Sequence, residues 1–251
     1  MDNTTHLYTR IIRADQTESA YEREILSEHQ LLVTVNELPV FSLTCTRENL
    51  RELCIGRLYT EGIIAAPSEV AKIYFCRYEN EASIFLNKEI IWESVENRVA
   101  SCCTNNRTLL TGRGRRALEP VKPLSFPPDW IFSLARAFFE GTRLHTLTQA
   151  AHSCFLQRNG EVLFQGEDIG RHNALDKAIG YALLHEIPLS ECILYTSGRV
   201  PVDMVEKVIA AGVPVLVSKS VPTAESVALA EEYGLTIIGR AFPEQFEQMT
   251  V

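Results

Sequence analysis

Strand-like and helical segments alternate along the C-terminal part of the chain, and this alternation restricts the fold more than any other feature of the sequence. Three short apolar runs are predicted strands, at residues 192–196, 213–217 and 235–238. The helix after the first strand begins at Pro201 and ends near Gly212. The helix after the second is capped by Thr223 and ends at Gly234. Strands joined by crossover helices run parallel, so the sequence predicts the α/β class.

The segment before this region adds a helix and a hairpin to the predicted α/β unit. Helical spacing covers residues 130–139, and apolar runs at residues 153–157 and 162–165 predict two paired strands. Asn159-Gly160 lies between these strands and is a strong signal for a tight hairpin turn. Asn173 is predicted to cap the next helix, which carries Leu175 and Ile179 on one face.

The N-terminal part of the chain predicts a smaller, mixed and β-rich unit. Its predicted strands lie at residues 31–35, 40–45, 71–76 and 82–86. Thr46 is predicted to cap a helix that carries Leu50 and Leu58 on its apolar face and ends near Gly62.

A polar and strongly basic segment at residues 101–116 separates the two predicted units. It contains glycine, and prolines follow it up to Pro128, so it is predicted to be a loop and linker. The chain is therefore divided into a mixed-sheet unit at residues 1–116, which ends in this loop, and an α/β unit at residues 117–251.

Composition excludes several classes of function. The net charge of −8 provides no global basic field for nucleic acid or an anionic membrane, although a local basic patch can still bind a small anion.

No apolar run approaches the roughly 20 residues of a membrane-spanning helix, and the first residues lack the plan of a signal peptide, so a cytoplasmic protein is expected. The seven cysteines are expected to be reduced thiols, most of them buried in apolar segments, as for Cys45, Cys54, Cys76 and Cys192.

Three loops at the carboxyl ends of the predicted parallel strands are candidate ligand-binding segments. They are Ser197-Gly198-Arg199, Ser218-Lys219-Ser220 and Gly239-Arg240. Ligands of open α/β sheets bind at this edge, where helix N-termini offer free N–H groups and cationic side chains suit phosphate. The alternative for each segment alone is an ordinary turn with solvated charges. For the three together, a phosphorylated or nucleotide-like ligand is favoured.

The segment at residues 166–173 is a second candidate. Glu167 or Asp168 can orient His172 or pair with Arg171, and Arg171 can meet an anion. The alternative is a local capping network in which Asn173 and Asp176 satisfy helix amides, and both possibilities stay open.

The adjacent pair Cys102-Cys103 lies in the basic loop. Arginines close in sequence stabilise a thiolate, which is the nucleophilic form of cysteine. Two incidental loop cysteines are the alternative. A structural metal is not expected, because no second cysteine pair stands at ligand spacing and no zinc-deaminase motif accompanies His152-Ser153-Cys154, which is predicted to begin a core strand.

Several segments resemble one family, that of the formate dehydrogenase accessory sulfurtransferases, the FdhD family. The string Glu167-Asp168-Ile169-Gly170-Arg171-His172-Asn173-Ala174-Leu175-Asp176-Lys177 is similar to its signature. Similar too are Ser197-Gly198-Arg199, Met204-Val205-Glu206-Lys207 and Ser218-Lys219-Ser220-Val221-Pro222-Thr223. The resemblance implies a cytidine-deaminase-like α/β core without the deaminase zinc. It also implies transfer of persulfide sulfur from a cysteine desulfurase to the molybdenum cofactor, bis-molybdopterin guanine dinucleotide, of formate dehydrogenase, and suggests a homodimer.

The resemblance also assigns site residues. The family's Cys-Gly-x-Cys loop places its first, catalytic cysteine at Cys102, while Cys103 stands at the glycine and Asn105 at the second cysteine. The family's cofactor-contacting Phe-Ala-Arg-Gly run aligns with the start of the tail Arg240, Ala241, Phe242, Pro243, Glu244 and Gln245. The full set of expected cofactor contacts is this tail with Ser197, Gly198, Arg199, Ser218, Lys219, Ser220, Arg171 and His172.

Two other functions remain open from the sequence. Loss of the second loop cysteine favours a non-catalytic protein that binds the molybdenum cofactor or serves as a maturation chaperone of formate dehydrogenase. A dithiol switch between Cys102 and Cys103 is disfavoured, because a disulfide between adjacent residues strains the backbone.

Overall fold

The computed structural model describes residues 3–94, 106–112 and 117–250. Within them the chain has the predicted α/β class, with sheets that contain both parallel and antiparallel strands. No helix among these residues is long and apolar enough to cross a bilayer.

A two-stranded antiparallel ribbon opens the chain, formed by β1 (Thr4–Ile12) and β2 (Glu18–Leu26). Its side chains are largely exposed, including Tyr8 at 77% and Ile12 at 67%. This ribbon was not predicted from the sequence, because its strands carry charged residues among the apolar ones and present no clear buried face.

A five-stranded sheet forms the rest of the N-terminal part. The elements, in chain order, are β3 (His29–Val35), β4 (Leu38–Cys45), α1 (Leu50–Thr60), β5 (Val70–Phe75), β6 (Glu81–Leu86), β7 (Trp92–Ser94), β8 (Arg107–Thr108) and β9 (Leu110–Gly112). The sheet order is β5-β6-β3-β4-β8, and β7 pairs separately with β9.

The four predicted strands and the helix are confirmed. The predicted linker is wrong for residues 107–112, because β8 adds an edge strand to β4.

A six-stranded sheet forms the C-terminal part. The elements are α2 (Pro128–Phe139), α3 (Arg143–Thr148), β10 (His152–Arg158), β11 (Glu161–Asp168), α4 (Arg171–Leu184), β12 (Cys192–Thr196), α5 (Val202–Ala210), β13 (Val215–Ser218), α6 (Ala224–Tyr233), β14 (Thr236–Gly239) and β15 (Glu247–Gln248). The sheet order is β11-β10-β12-β13-β14-β15. The strands β12, β13 and β14 run parallel, as predicted, and the other pairings are antiparallel.

Two of the three predicted helix caps are wrong. Helix α1 has Asn49 at its N-cap, in the left-handed region at φ 56°, and α4 has Gly170 there. Both Thr46 and Asn173 instead bond to Asp168, which lies far from Thr46 in sequence. The cap at Thr223 is confirmed, since its hydroxyl accepts from the amide of Ser226 at 3.3 Å.

Helices α1 and α4 cross in very close contact, and this crossing joins the two parts of the chain. A Cβ atom on Gly56 would lie 1.8 Å from the carbonyl oxygen of Asp176, and one on Gly180 would lie 1.9 Å from that of Glu52. Glycine at both positions lets the two backbones touch. The division of the chain at residues 116 and 117 into two domains stays a prediction.

Candidate functional site

The three predicted ligand-binding loops meet at one edge of the six-stranded sheet. Ser218 Oγ donates to the carbonyl oxygen of Gly198 at 2.8 Å, which ties the loops after β12 and β13 together. The amide of Arg240 donates to the carbonyl oxygen of Ser220 at 3.0 Å, which ties in the loop after β14. The cations Arg199, Lys219 and Arg240 are all exposed along this edge. The edge can therefore receive an anionic ligand.

The first turn of α4 lies against the first of these loops. A Cβ atom on Gly198 would lie 2.8 Å from Arg171 Cδ, so glycine leaves the space that the arginine side chain fills. Arg171 and His172 are both largely buried. The carboxylate beside His172 is that of Asp203, with 3.1 Å between Nε2 and Oδ2.

The two acidic residues before α4 serve as buried acceptors. Glu167 accepts from the amides of Leu144 and His145 at 2.8 Å each and so caps the first turn of α3. Asp168 accepts from Lys177 Nζ at 2.7 Å and from the amide of Gly170 at 3.0 Å. The capping network predicted from the sequence, in which Asn173 and Asp176 satisfy helix amides, is wrong. Asn173 donates to Asp168, and Asp176 accepts from Thr60 Oγ1 and Lys207 Nζ at 2.9 Å each, while Glu167 caps α3 and Asp168 forms a buried ion pair.

The tail that follows β14 forms an open cleft with α2. The cleft has a volume of about 380 Å³ and is lined by Phe139, Phe242, Pro243, Glu244 and Gln245. The rings of Phe139 and Phe242 lie 5.5 Å apart, and Lys219 Nζ lies 5.8 Å from the centre of the Phe138 ring. Aromatic side chains beside cations are suited to a ligand with a planar ring and phosphate groups.

Asn106 is a functional candidate that the sequence analysis missed. It is buried, its Oδ1 accepts from the amide of Thr44 at 2.8 Å, and its Nδ2 donates to Asn173 Oδ1 at 2.7 Å. Asn173 in turn donates to the carbonyl oxygen of Thr44 at 2.8 Å. The chain four residues after Cys102 is thus fixed at the first turn of α4. An asparagine in a loop gives no sequence signal for such long-range bonding.

Cys102 and Cys103 lie outside the described residues. Among the described cysteines, Cys45, Cys54, Cys154 and Cys192 are buried, and burial raises the pKa of Cys54 and of Cys192 to about 12. The prediction that Cys76 is buried is wrong, because β5 ends at Phe75 and leaves it exposed in the turn. Desolvation acts to raise the pKa of Cys76, but backbone N–H groups of residues 78–81 outweigh it and lower that pKa.

These thiols are expected to differ sharply in reactivity. In the native Cys102→Ala/Cys103→Ala variant, iodoacetamide should label Cys76 and should label the four buried cysteines at least about 100-fold more slowly, because they react only after local opening. Peptide mass mapping against labelling time measures this. The same variant in denaturing urea is the control, in which all five thiols should react, and rapid native labelling of Cys54 or Cys192 would contradict the assignment.

The fold and the site define an α/β protein in which exposed cations and aromatic side chains meet at one edge of the six-stranded sheet. The model of the FdhD/NarQ family matches residues 26–250, and the chain belongs to this family, as the resemblance predicted.

Similar proteins include the sulfur carrier protein FdhD of Bacillus pumilus, 31% identical over 231 residues and covering 90% of this chain and 88% of that protein. The sulfur carrier protein FdhD of Geobacillus kaustophilus is 32% identical over 225 residues, covering 87% and 84%. A crystal structure assigned as a formate dehydrogenase accessory protein from Desulfotalea psychrophila has the same fold. It matches with a TM-score of 0.83 at 24% identity, over 100% of this chain and 98% of that one.

Proposed function

We propose that this protein is a sulfur carrier that takes persulfide sulfur from a cysteine desulfurase onto Cys102 and passes it to the molybdenum cofactor of formate dehydrogenase. The name sulfur carrier protein FdhD, borne by its relatives, supports the general role. The observation that carries the proposal is the anchoring of Asn106 at the first turn of α4, beside the cationic sheet edge.

The anchor limits how far the carrier cysteine can lie from the ligand-binding edge. Cys102 precedes Asn106 by four residues, and four extended residues span at most about 14 Å. Asn106 bonds to Asn173, two residues after Arg171, whose side chain contacts the loop at Gly198. The length of chain between Asn106 and Cys102 is therefore compatible with delivery of sulfur from Cys102 to this edge.

The transfer onto Cys102 is a thiol–disulfide type exchange. The Cys102 thiolate attacks the outer sulfur of the desulfurase persulfide, the sulfur–sulfur bond of the donor breaks, and the donor cysteine leaves as thiolate. This step needs no external oxidant or reductant. Delivery of the sulfur to the cofactor as sulfide breaks the bond between Cys102 Sγ and the outer sulfur, returns Cys102 to thiolate and takes two electrons, which an external thiol supplies as it is oxidised to a disulfide. Basic residues near Cys102 in sequence, among them Arg107, favour its thiolate form.

The molybdenum cofactor, bis-molybdopterin guanine dinucleotide, is the substrate that receives the sulfur. Its phosphates fit the exposed Arg199, Lys219 and Arg240, and its guanine fits the cleft beside Phe139 and Phe242. Binding at this edge would bring the acceptor within reach of the loop.

Mass spectrometry after incubation with a cysteine desulfurase and cysteine tests the carrier assignment. We expect a gain of about 32 Da, one sulfur atom, on Cys102. The adduct should persist in Cys103→Ala and disappear in Cys102→Ala. Cys76→Ser is the matched control, because Cys76 is an exposed thiol with a lowered pKa outside the loop. An adduct that survives in Cys102→Ala and is lost in Cys103→Ala would move the carrier to Cys103.

A second candidate function is that of a non-catalytic cofactor-binding protein or maturation chaperone. Asn105 at the position of the family's second loop cysteine favours it. Binding of GDP by the wild-type protein, together with no persulfide on any cysteine, would select this function over sulfur transfer.

A further inference from the structure

His152 lies at the start of β10, where the loop after β12 passes over it. Its Nδ1 lies 3.1 Å from Ser197 Oγ, and the same hydroxyl oxygen accepts from the amide of Ser153 at 3.0 Å. The amide of Ser197 returns a hydrogen bond to the carbonyl oxygen of Ser153 at 3.0 Å. The histidine is thus held in place by the first of the three loops of the sheet edge.

These bonds are the basis for assigning the imidazole tautomer. The amide of Ser153 occupies one lone pair of Ser197 Oγ, and His152 Nδ1 lies within reach of the hydroxyl hydrogen, so we assign Ser197 as the donor and Nδ1 as the acceptor. A neutral His152 then carries its proton on Nε2. Within the described residues Nε2 has no hydrogen-bond partner, and the imidazole is only partly buried. An N–H donor is left available beside the edge.

The charged groups around His152 keep its imidazole neutral and make the space beside it attractive to an anion. Burial lowers the pKa of His152, and the nearby charges of Arg171, His145 and Lys219 lower it further, against the opposing effect of Asp168. Arg171 comes from α4, His145 from α3, Lys219 from the loop after β13 and Asp168 from β11. Positive charge from Arg171 on α4 and from Lys219 after β13 therefore lies close to this histidine.

We propose that His152 is a ligand-contacting residue of this edge, whose Nε2–H donates to an anionic oxygen of the bound nucleotide, and that Ser197 positions it by fixing its tautomer. The inference rests on the proposed function and names a contact within it. It also changes the role expected of Ser197, whose hydroxyl hydrogen is directed to His152 and not to the ligand.

Binding of GDP measured by calorimetry between pH 5.5 and pH 8 tests the contact. A bound anion raises the pKa of His152 above its lowered value in the free protein, so binding takes up protons and the affinity rises as the pH falls. At low pH this protonation increases the affinity for GDP by about 10-fold for each unit by which binding raises the pKa of His152. This extra gain comes on top of the pH dependence that the GDP phosphates cause themselves. His152→Gln keeps an amide donor near the place of Nε2 but cannot take up a proton, so it should lack this extra gain and bind GDP about 10-fold more weakly at pH 6, with a smaller difference at pH 8.

Two controls separate this contact from other effects. His6→Gln removes a histidine on the exposed ribbon and should keep the wild-type pH profile, which includes the titration of the GDP phosphates themselves. The nitrogen-15 shifts of His152 in the unliganded wild-type protein should report the Nε2–H tautomer and change in Ser197→Ala, a readout that does not depend on GDP.

The outcomes distinguish the inference from the proposed function. If wild type and His152→Gln bind GDP equally, with the same pH profile, the inference is wrong and the proposed function stands. If the wild-type protein does not bind GDP at any pH, both fail. An Nδ1–H tautomer in the unliganded protein overturns the positioning role of Ser197.

Discussion

Gly180→Ala is expected to destabilise the protein by about 3 kcal/mol or more, or to prevent folding. The added methyl would lie 1.9 Å from the carbonyl oxygen of Glu52 and 2.9 Å from the amide nitrogen of Gly56, both backbone atoms of α1. Backbone atoms within a helix cannot rotate away as a flexible side chain can, so α1 and α4 would have to separate. Urea unfolding followed by far-UV circular dichroism measures the loss.

Gly112→Ala is the matched control for this prediction. Its methyl would meet only Ile90 Cγ2, at an ordinary contact distance of 3.5 Å, and its backbone is not in the left-handed region. We expect a change within about 0.5 kcal/mol there. Equal effects of Gly180→Ala and Gly112→Ala would show that the helices are not held in backbone contact.

The central architecture of the C-terminal part was predictable because local signals there agree with the global fold. Apolar runs, Thr223 as a cap and Gly234 as a terminator all point to the same strands and helices, and the tight turn at Asn159-Gly160 sets the hairpin. The meeting of three loops at one edge then follows from the parallel arrangement. In the structure, the hydrogen bond from Ser218 Oγ to the carbonyl oxygen of Gly198 joins two of these loops.

The two wrong helix caps concern side chains that bond to a buried carboxylate instead of helix amides. Thr46 and Asn173 have the residue types of helix caps, yet they bond to Asp168, and Thr46 is 122 residues from it. Cap rules consider the next few residues only, so they cannot detect a competing buried carboxylate. The same limit hid Asn106, which contacts Asn173 across 67 residues.

Asp168→Asn is expected to lower the free energy of unfolding by about 3–5 kcal/mol, because it leaves the buried Lys177 ammonium without its counter-charge. Lys177 and Asp168 are fully buried, with 2.7 Å between Nζ and Oδ2. Asparagine keeps the size of the side chain, so the loss measures charge and hydrogen bonding and not a cavity. Chemical denaturation of wild type and variant, fitted with a common slope, gives the value.

The effect of Asp168→Asn should extend to the ligand-binding edge. Asp168 accepts from the amide of Gly170 at 3.0 Å, immediately before Arg171, and its neutral replacement weakens the bond that fixes the first turn of α4. Weaker GDP binding by the folded variant is therefore expected together with the loss of stability.

A double-mutant cycle with Lys177→Met separates the ion pair from the rest of this network. Removal of either partner alone leaves one buried charge, whereas the double variant leaves none, so its loss of stability should be smaller than the sum of the two single losses by at least about 1 kcal/mol. Glu18→Gln is the surface control: it breaks the exposed pair with Arg10, and we expect at most about 0.5 kcal/mol. Additive losses would mean that Asp168 acts through its bonds to Thr46, Gly170 and Asn173 alone. The first turn of α4 would then be held by hydrogen bonds to the backbone and to Asn173, without a contribution from the buried charge of Lys177.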